Sequence, residues 1–236
     1  MTSWHNAEIR EVVRETPTAS TLVLDVPGWP GHHAGQHLDL RLTAEDGYQA
    51  QRSYSISSAP EDGGPAVTVE RLDDGEVSPY LVDEARPGDQ LEVRGPVGGW
   101  FVWTAGQGGP LQLIGGGSGL APLMSMLRHR RHAGSGAEAR LLLSARSERD
   151  VLFADELATL VEPVITYTRE APPGWTGYAR RVDRAMLEEA VFAPDRAPHV
   201  FVCGPTGLVE GVATDLVALG HEPSRIRTER FGATGG

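Results

Sequence analysis

The strongest constraint on this chain is a change of hydrophobic rhythm near residue 105. Before it, apolar residues recur with partial period-2 alternation in six short runs: AEIREVVRET, STLVLDV, QHLDLRL, QRSYSIS, AVTVERL and DQLEVRG. The turn signals PGWPG, EDGG, DDG and RPGD lie between most of them. Such spacing predicts a small antiparallel barrel or sandwich, with one helix expected near Ser78–Ala85. Beyond TAGQGGP, Thr104–Pro110, strands alternate with helices. LQLIG leads into an amphipathic segment carrying Leu120, Leu123, Met124 and Leu127 at helical spacing. RLLLSA, FADELATL, PVITYT, DRAMLEEA, HVFVCG, a helix over Val209–Leu219 and RIRTER follow, with a frayed ATGG end expected. That alternation predicts a parallel sheet wrapped by helices. The expected units are a β-barrel domain, 1–105, and an α/β domain, 106–236.

Length and composition agree with two units. The 236 residues are 40% hydrophobic, enough to build cores. No apolar run approaches the ~20 residues that span a bilayer, and MTSWHNAEIR has neither the basic nor the apolar region of a secretory signal. These point to a cytoplasmic protein without membrane insertion. The single cysteine, Cys203, excludes an internal disulfide and a four-cysteine cluster. The net charge is −11, and all 21 basic residues are arginine. Residues 1–104 hold 7 Arg against 17 Asp and Glu, and the remainder holds 14 against 15. An acidic first half argues against nucleic-acid binding.

GGGSGLAP, Gly115–Pro122, follows a buried strand and opens a helix. Glycines there let backbone approach a phosphate at a helix N-terminus, and Pro122 suits the first turn. The third glycine of the usual dinucleotide fingerprint is missing, and Leu120 at the place of a glycine rules out a nucleophile elbow at Ser118. In QRSYSIS, strand geometry puts Arg52 and Tyr54 on one face and Ser53 and Ser55 on the other. An arginine suits a pyrophosphate and a tyrosine can cover a flat ring. DGEVS, Asp74–Ser78, offers a turn with Ser78 at a helix start, and GPVGGWF, Gly95–Phe101, adds a close-approach loop.

Taken in order, RSYS, DGEVS with its following PYL, GPVGGWF, GGGSGLAP, CGPTGLVE and ERFG resemble the ferredoxin–NADP reductase family, from about Glu8 to Gly232. The resemblance implies a flavin barrel followed by a nicotinamide-nucleotide domain. It implies that Arg52 pairs with the flavin phosphate, that Tyr54 packs on the isoalloxazine ring and that Ser55, beside Ser53, bonds near N5. Gly75, Val77 and Ser78 would hold the phosphates. Gly116, Gly117, Ser118 and Gly119 would line the nucleotide pyrophosphate, with Gly204 and Pro205 of CGPTG on the same side. Cys203 would lie near nicotinamide C4, with Ser55 and Glu229 completing the catalytic neighbourhood. Phe231 is the aromatic available to cover the flavin. The implied cofactors are FAD, with FMN the alternative, and NADPH, with NADH the alternative.

The nucleotide preference rests on arginine. SARSERD puts Arg146 near the position where an acidic residue binds a ribose 2′-hydroxyl in many dinucleotide folds, and Arg149, Arg180 and Arg181 follow. Guanidinium groups favour a 2′-phosphate. His129 and His132 in HRRH read as a solvated helix end without further metal ligands. The expected function is a reductase passing electrons from NAD(P)H through flavin to a separate one-electron acceptor. A ferredoxin, or another iron–sulfur or haem protein, would serve, feeding a cytochrome P450 or an oxygenase. A free-flavin reductase and a noncatalytic nucleotide-binding subunit are the alternatives.

Overall fold

The protein is described by a computed structural model covering residues 3–44 and 46–231. Gly232 of ERFG, the ATGG tail and Met1–Thr2 lie outside the described residues.

The first unit is an antiparallel sheet of six strands. β1 (His5–Thr16), β2 (Ala19–Asp25), β3 (His37–Thr43), β4 (Gln49–Ser55), β5 (Ala66–Glu70) and β6 (Gln90–Val97) run in the order β4-β3-β6-β1-β2-β5. The outer strands meet where Ile56 bridges Val67 and the Ser57 N–H donates to Ala66 O at 2.8 Å. The sheet therefore curls into a barrel that closes at this end of β4. The period-2 pattern explains its core: Leu38 and Leu40 of β3, and Val67 and Val69 of β5, point inward with Ile9, Leu22 and Val93.

The helix expected over Ser78–Ala85 shortens to one π turn, Tyr80–Glu84, closed by the Ala85 N–H on Tyr80 O at 2.9 Å. Pro87 disfavours helical backbone at Arg86 and so ends the turn early. The turn still sends Leu81 into the barrel core beside Val77.

The second unit is a five-stranded parallel sheet, β11-β10-β7-β8-β9. Its strands are β7 (Leu111–Gly116), β8 (Ala139–Ser147), β9 (Pro163–Glu170), β10 (His199–Pro205) and β11 (Ile226–Phe231). Helices α1 (Leu120–His132) and α2 (Ala154–Leu160) cover one face, and α3 (Arg184–Ala190) and α4 (Thr206–Ala218) the other. Alternation within the central strands feeds both layers. Leu113 and Phe201 join Leu123 and Leu127 below α1, while Ile114 and Val202 join Val209 and Leu216 below α4.

The units share apolar and polar contacts. Phe101 and Trp103, which precede the expected boundary, are buried in the cluster beneath α1, and Phe101 meets Phe201 edge-on at 5.2 Å. Gly35, at φ +100°, is demanded there, since a Cβ would lie 2.0 Å from Phe101 O. From α1, Ser125 Oγ donates to Ser58 O and Arg128 Nη1 to Ser57 O, each at 2.6 Å. His129 and His132 differ from the solvated helix end expected of them. His129 Nδ1 lies 2.7 Å from Glu61 Oε1, and His132 Nε2 lies 3.4 Å from Asp62. They sit in the seam because α1 runs its last turn along the segment that follows β4.

Candidate functional site

Gly117–Gly119 form a 3-10 turn between β7 and α1, as the strand–turn–helix pattern predicts. Protein contacts account for part of the glycine pattern. A Cβ on Gly119 would lie 2.2 Å from Cys203 O, and one on Gly116 2.4 Å from Leu208 Cδ2. Gly117, at φ +55°, has a different neighbour, the Glu70 carboxylate, 3.2 Å from where its Cβ would be. The Ser118 N–H donates to Glu70 Oε2 at 3.2 Å. Glu70 ends β5, so a carboxylate of the barrel sits on the glycine turn of the second unit.

Cys203 ends the apolar run of β10, with Gly115 on one flanking strand and Glu229 on the other in register. Burial raises the thiol well above its ordinary range, and the Glu229 charge adds to that. Burial also lifts Glu229 to about 7. Gly204 follows, backed against the Gly116 backbone. Pro205 is exposed ahead of α4, opposite Phe231 in register. Phe231 packs, partly buried, against the cluster beneath α1.

On the barrel, β4 presents the RSYS residues on the expected alternate faces. Arg52 lies opposite Leu40 and Tyr54 opposite Leu38, while Ser53 lies opposite Asp39 and Ser55 opposite His37. Arg52 Nη2 pairs with Glu76 Oε2 at 3.0 Å, and Tyr48 Oη donates to the other Glu76 oxygen. Ser53 Oγ donates to Asp39 at 2.6 Å, and Arg94 bonds that same carboxylate. Together they hold Asp39 below its usual range despite desolvation. Burial raises the Tyr54 phenol, which stays protonated, and the ring packs on the barrel core. Ser55 Oγ is buried and makes no hydrogen bond.

The DGEVS turn differs in detail from expectation. Ser78 Oγ accepts the Leu72 N–H at 3.0 Å and caps no helix, since Pro79 precedes the π turn. A Cβ on Gly75 would lie 2.7 Å from that hydroxyl. Val77 is fully buried, leaving only its backbone for a ligand.

Arg146 is exposed at the end of β8, with Nη1 3.7 Å from Glu70 Oε1. Arg181 is exposed, while its neighbour Arg180 pairs with Asp183, the N-cap of α3, at 2.7 Å. The structure thus joins Cys203 to Glu229 and brings Arg146 to Ser118 through Glu70. It makes no hydrogen bond from Ser55 to any of them. Glu70 escapes sequence reading because it looks like the polar end of a strand, and only barrel closure carries it across.

The site fits a flavin and a dinucleotide on the chain's own features. A buried hydroxyl lacking a partner waits at Ser55, a guanidinium stands at the barrel rim at Arg52, and the glycine turn that opens α1 already holds a carboxylate, Glu70, on its Ser118 N–H. The model of the oxidoreductase FAD-binding domain family matches residues 10–102, and that of the oxidoreductase NAD-binding domain family matches 113–214. Ferredoxin–NADP reductase B of Sorangium cellulosum is 38% identical over 211 residues, covering 84% of each chain. The glycine betaine monooxygenase reductase subunit of Chromohalobacter salexigens is 33% identical over 98% of this chain, which spans 65% of that relative's length. In fold, the chain matches a ferredoxin NADP+ reductase from Neisseria gonorrhoeae, solved with bound FAD and NADP, at a TM-score of 0.82 and 22% identity, covering 98% of this chain and 99% of that one. With a FAD-binding barrel, a NAD-binding sheet and a relative this similar over most of both lengths, the chain belongs to the ferredoxin–NADP reductase family.

Proposed function

We propose that this protein takes reducing equivalents from NAD(P)H onto bound FAD and passes them singly to a separate protein acceptor. The observation that carries this reading is the junction of the units. The barrel strand beside Ser55 reaches the glycine turn through Glu70, and that turn packs on Cys203. Flavin and nucleotide residues therefore converge on one seam. We draw the boundary of the units at 105/106, a division supported by the 3-10 turn Ala105–Gln107 between β6 and β7.

When bound, FAD supplies hydride acceptance and the release of electrons one at a time. The chain's residues bind and orient. Arg52, once released from Glu76, neutralises a flavin phosphate, and the backbone of Gly75 and Val77 with the Ser78 hydroxyl lines the phosphate path. Tyr54 offers a protonated ring to the flavin face. Ser55, with Ser53 beside it, supplies a hydroxyl that is buried and unspent, so a ligand bond there replaces no protein bond. Gly116–Gly119, Gly204 and Pro205 shape the nucleotide side. Arg146 and Arg181 favour the 2′-phosphate of NADPH over NADH. Cys203 is a neutral, buried thiol that excludes water beside the reacting carbon. Glu229, at about 7, holds or gives up a proton near neutrality.

The acceptor is a ferredoxin or another iron–sulfur or haem protein. A single buried cysteine holds no cluster, and no group of three metal-binding side chains occurs among the described residues. A free buried thiol suits a reducing, cytoplasmic setting. No helix among the described residues is long and apolar enough to cross a membrane.

Anaerobic titration of the purified protein with NADPH and NADH tests the reading. Flavin absorbance bleaches, and addition of oxidised ferredoxin restores it. A protein that is colourless and takes up no added FAD overturns it.

A further inference from the structure

We propose that Glu70 is an internal anion that competes with the nicotinamide nucleotide's phosphates for their binding groups, and so sets nucleotide affinity and the preference between NADP and NAD. This inference rests on the nucleotide reading of the glycine turn.

One carboxylate engages both groups that an anionic dinucleotide needs. Its Oε2 accepts from the Ser118 N–H at 3.2 Å, and its Oε1 lies 3.7 Å from Arg146 Nη1. Ser118 stands in the turn that opens α1, where backbone N–H groups favour a negative charge. Arg146 is the guanidinium assigned to the 2′-phosphate. Glu70 itself is only 24% exposed, so its charge is poorly screened compared with Arg146, at 59%. The carboxylate comes from the barrel, and the turn and the arginine come from the other unit. Glu70 therefore also links the two units.

A nucleotide that places a phosphate on Ser118 must displace the carboxylate or share the N–H with it at the cost of like-charge repulsion. A nucleotide with a 2′-phosphate meets Glu70 a second time, at Arg146. Removing the negative charge while keeping the shape should therefore tighten NADP+ more than NAD+. The same competition speeds departure of the oxidised nucleotide, since Glu70 reoccupies both groups as it leaves.

The test is the Kd of NADP+ and of NAD+ for the FAD-loaded wild type and E70Q, measured by calorimetry at low and high salt. Glutamine still accepts from Ser118 but carries no charge. E70Q is expected to bind NADP+ about tenfold more tightly, ~1.4 kcal/mol. NAD+ should gain less, and both gains should shrink at high salt. In an R146A background the extra gain for NADP+ over NAD+ should disappear. Unchanged or weaker NADP+ binding by E70Q, with FAD content intact, overturns the competition and leaves the nucleotide reading standing. Failure of the wild type to bind either nucleotide overturns both.

Discussion

Glu229 stands directly across the β10–β11 ladder from Cys203, and both groups are held toward their neutral forms. The carboxyl is raised from 4.5 to about 7 by burial, and its charge raises the thiol further. A carboxyl whose folded pKa lies above its unfolded one contributes stability that is full below 4.5 and lost as pH rises through about 7. E229Q keeps the neutral shape at every pH. It should therefore match the wild type in acid and become the more stable of the two above neutrality. Urea midpoints of the FAD-loaded proteins across this range check it. A difference between them that does not change with pH would show that Glu229 ionises freely.

The buried thiol leads to a second expectation. Thiolate, not thiol, reacts with alkylating agents, and Cys203 is both fully buried and held protonated. Native protein should resist iodoacetamide over hours at mildly alkaline pH, whereas the urea-unfolded chain labels at one site per molecule. Mass spectrometry reads both. Rapid native labelling would mean that the ends of β10 and α1 open readily.

How much of this was legible in the sequence depends on range. The strands came from local alternation, as in Leu38 and Leu40, and the parallel sheet from its rhythm of strand and helix. The turn at Gly117–Gly119 was legible because β7 and α1 flank it in sequence. What joins distant segments was not. Nothing in AVTVERL marks Glu70 as the residue that reaches Ser118, and nothing in HRRH marks His129 as Glu61's partner. Phe101 and Trp103 look like the end of the barrel, yet their side chains fill the second core. The helix at Ser78–Ala85 was overestimated because Pro79 and Pro87 leave room for one turn only.

Arg128 offers a test of the seam. Its side chain is 15% exposed, donates to Ser57 O on the barrel, and grips Glu156 of α2 with two hydrogen bonds. Those bonds keep Glu156 below its usual range against desolvation. R128A strips the barrel carbonyl and the carboxylate of a charged partner at once, which should cost about 2 kcal/mol, the scale of hydrogen bonds to charged groups. R128K retains the charge but loses the fork and should fall between. Urea denaturation measures both. A loss within about 0.5 kcal/mol, the range of an exposed pair, would mean that Arg128 adds little to the other contacts of the seam.

The proposed nucleotide preference rests on Arg146, which is exposed and pairs with Glu70. A guanidinium on a 2′-phosphate makes charge-assisted hydrogen bonds that NADH cannot offer. R146A should therefore raise KM for NADPH about tenfold, ~1.4 kcal/mol, while moving KM for NADH little. Loss of the arginine leaves Glu70 without its counter-charge, so a small rise for NADH, from phosphate repulsion alone, is expected too. R146K should recover part of the NADPH loss through its charge, but not the bidentate share. Steady-state kinetics with ferricyanide as acceptor give both KM values without requiring the natural partner. Equal increases for the two nucleotides would remove the 2′-phosphate from Arg146, leaving Arg181 to carry the preference.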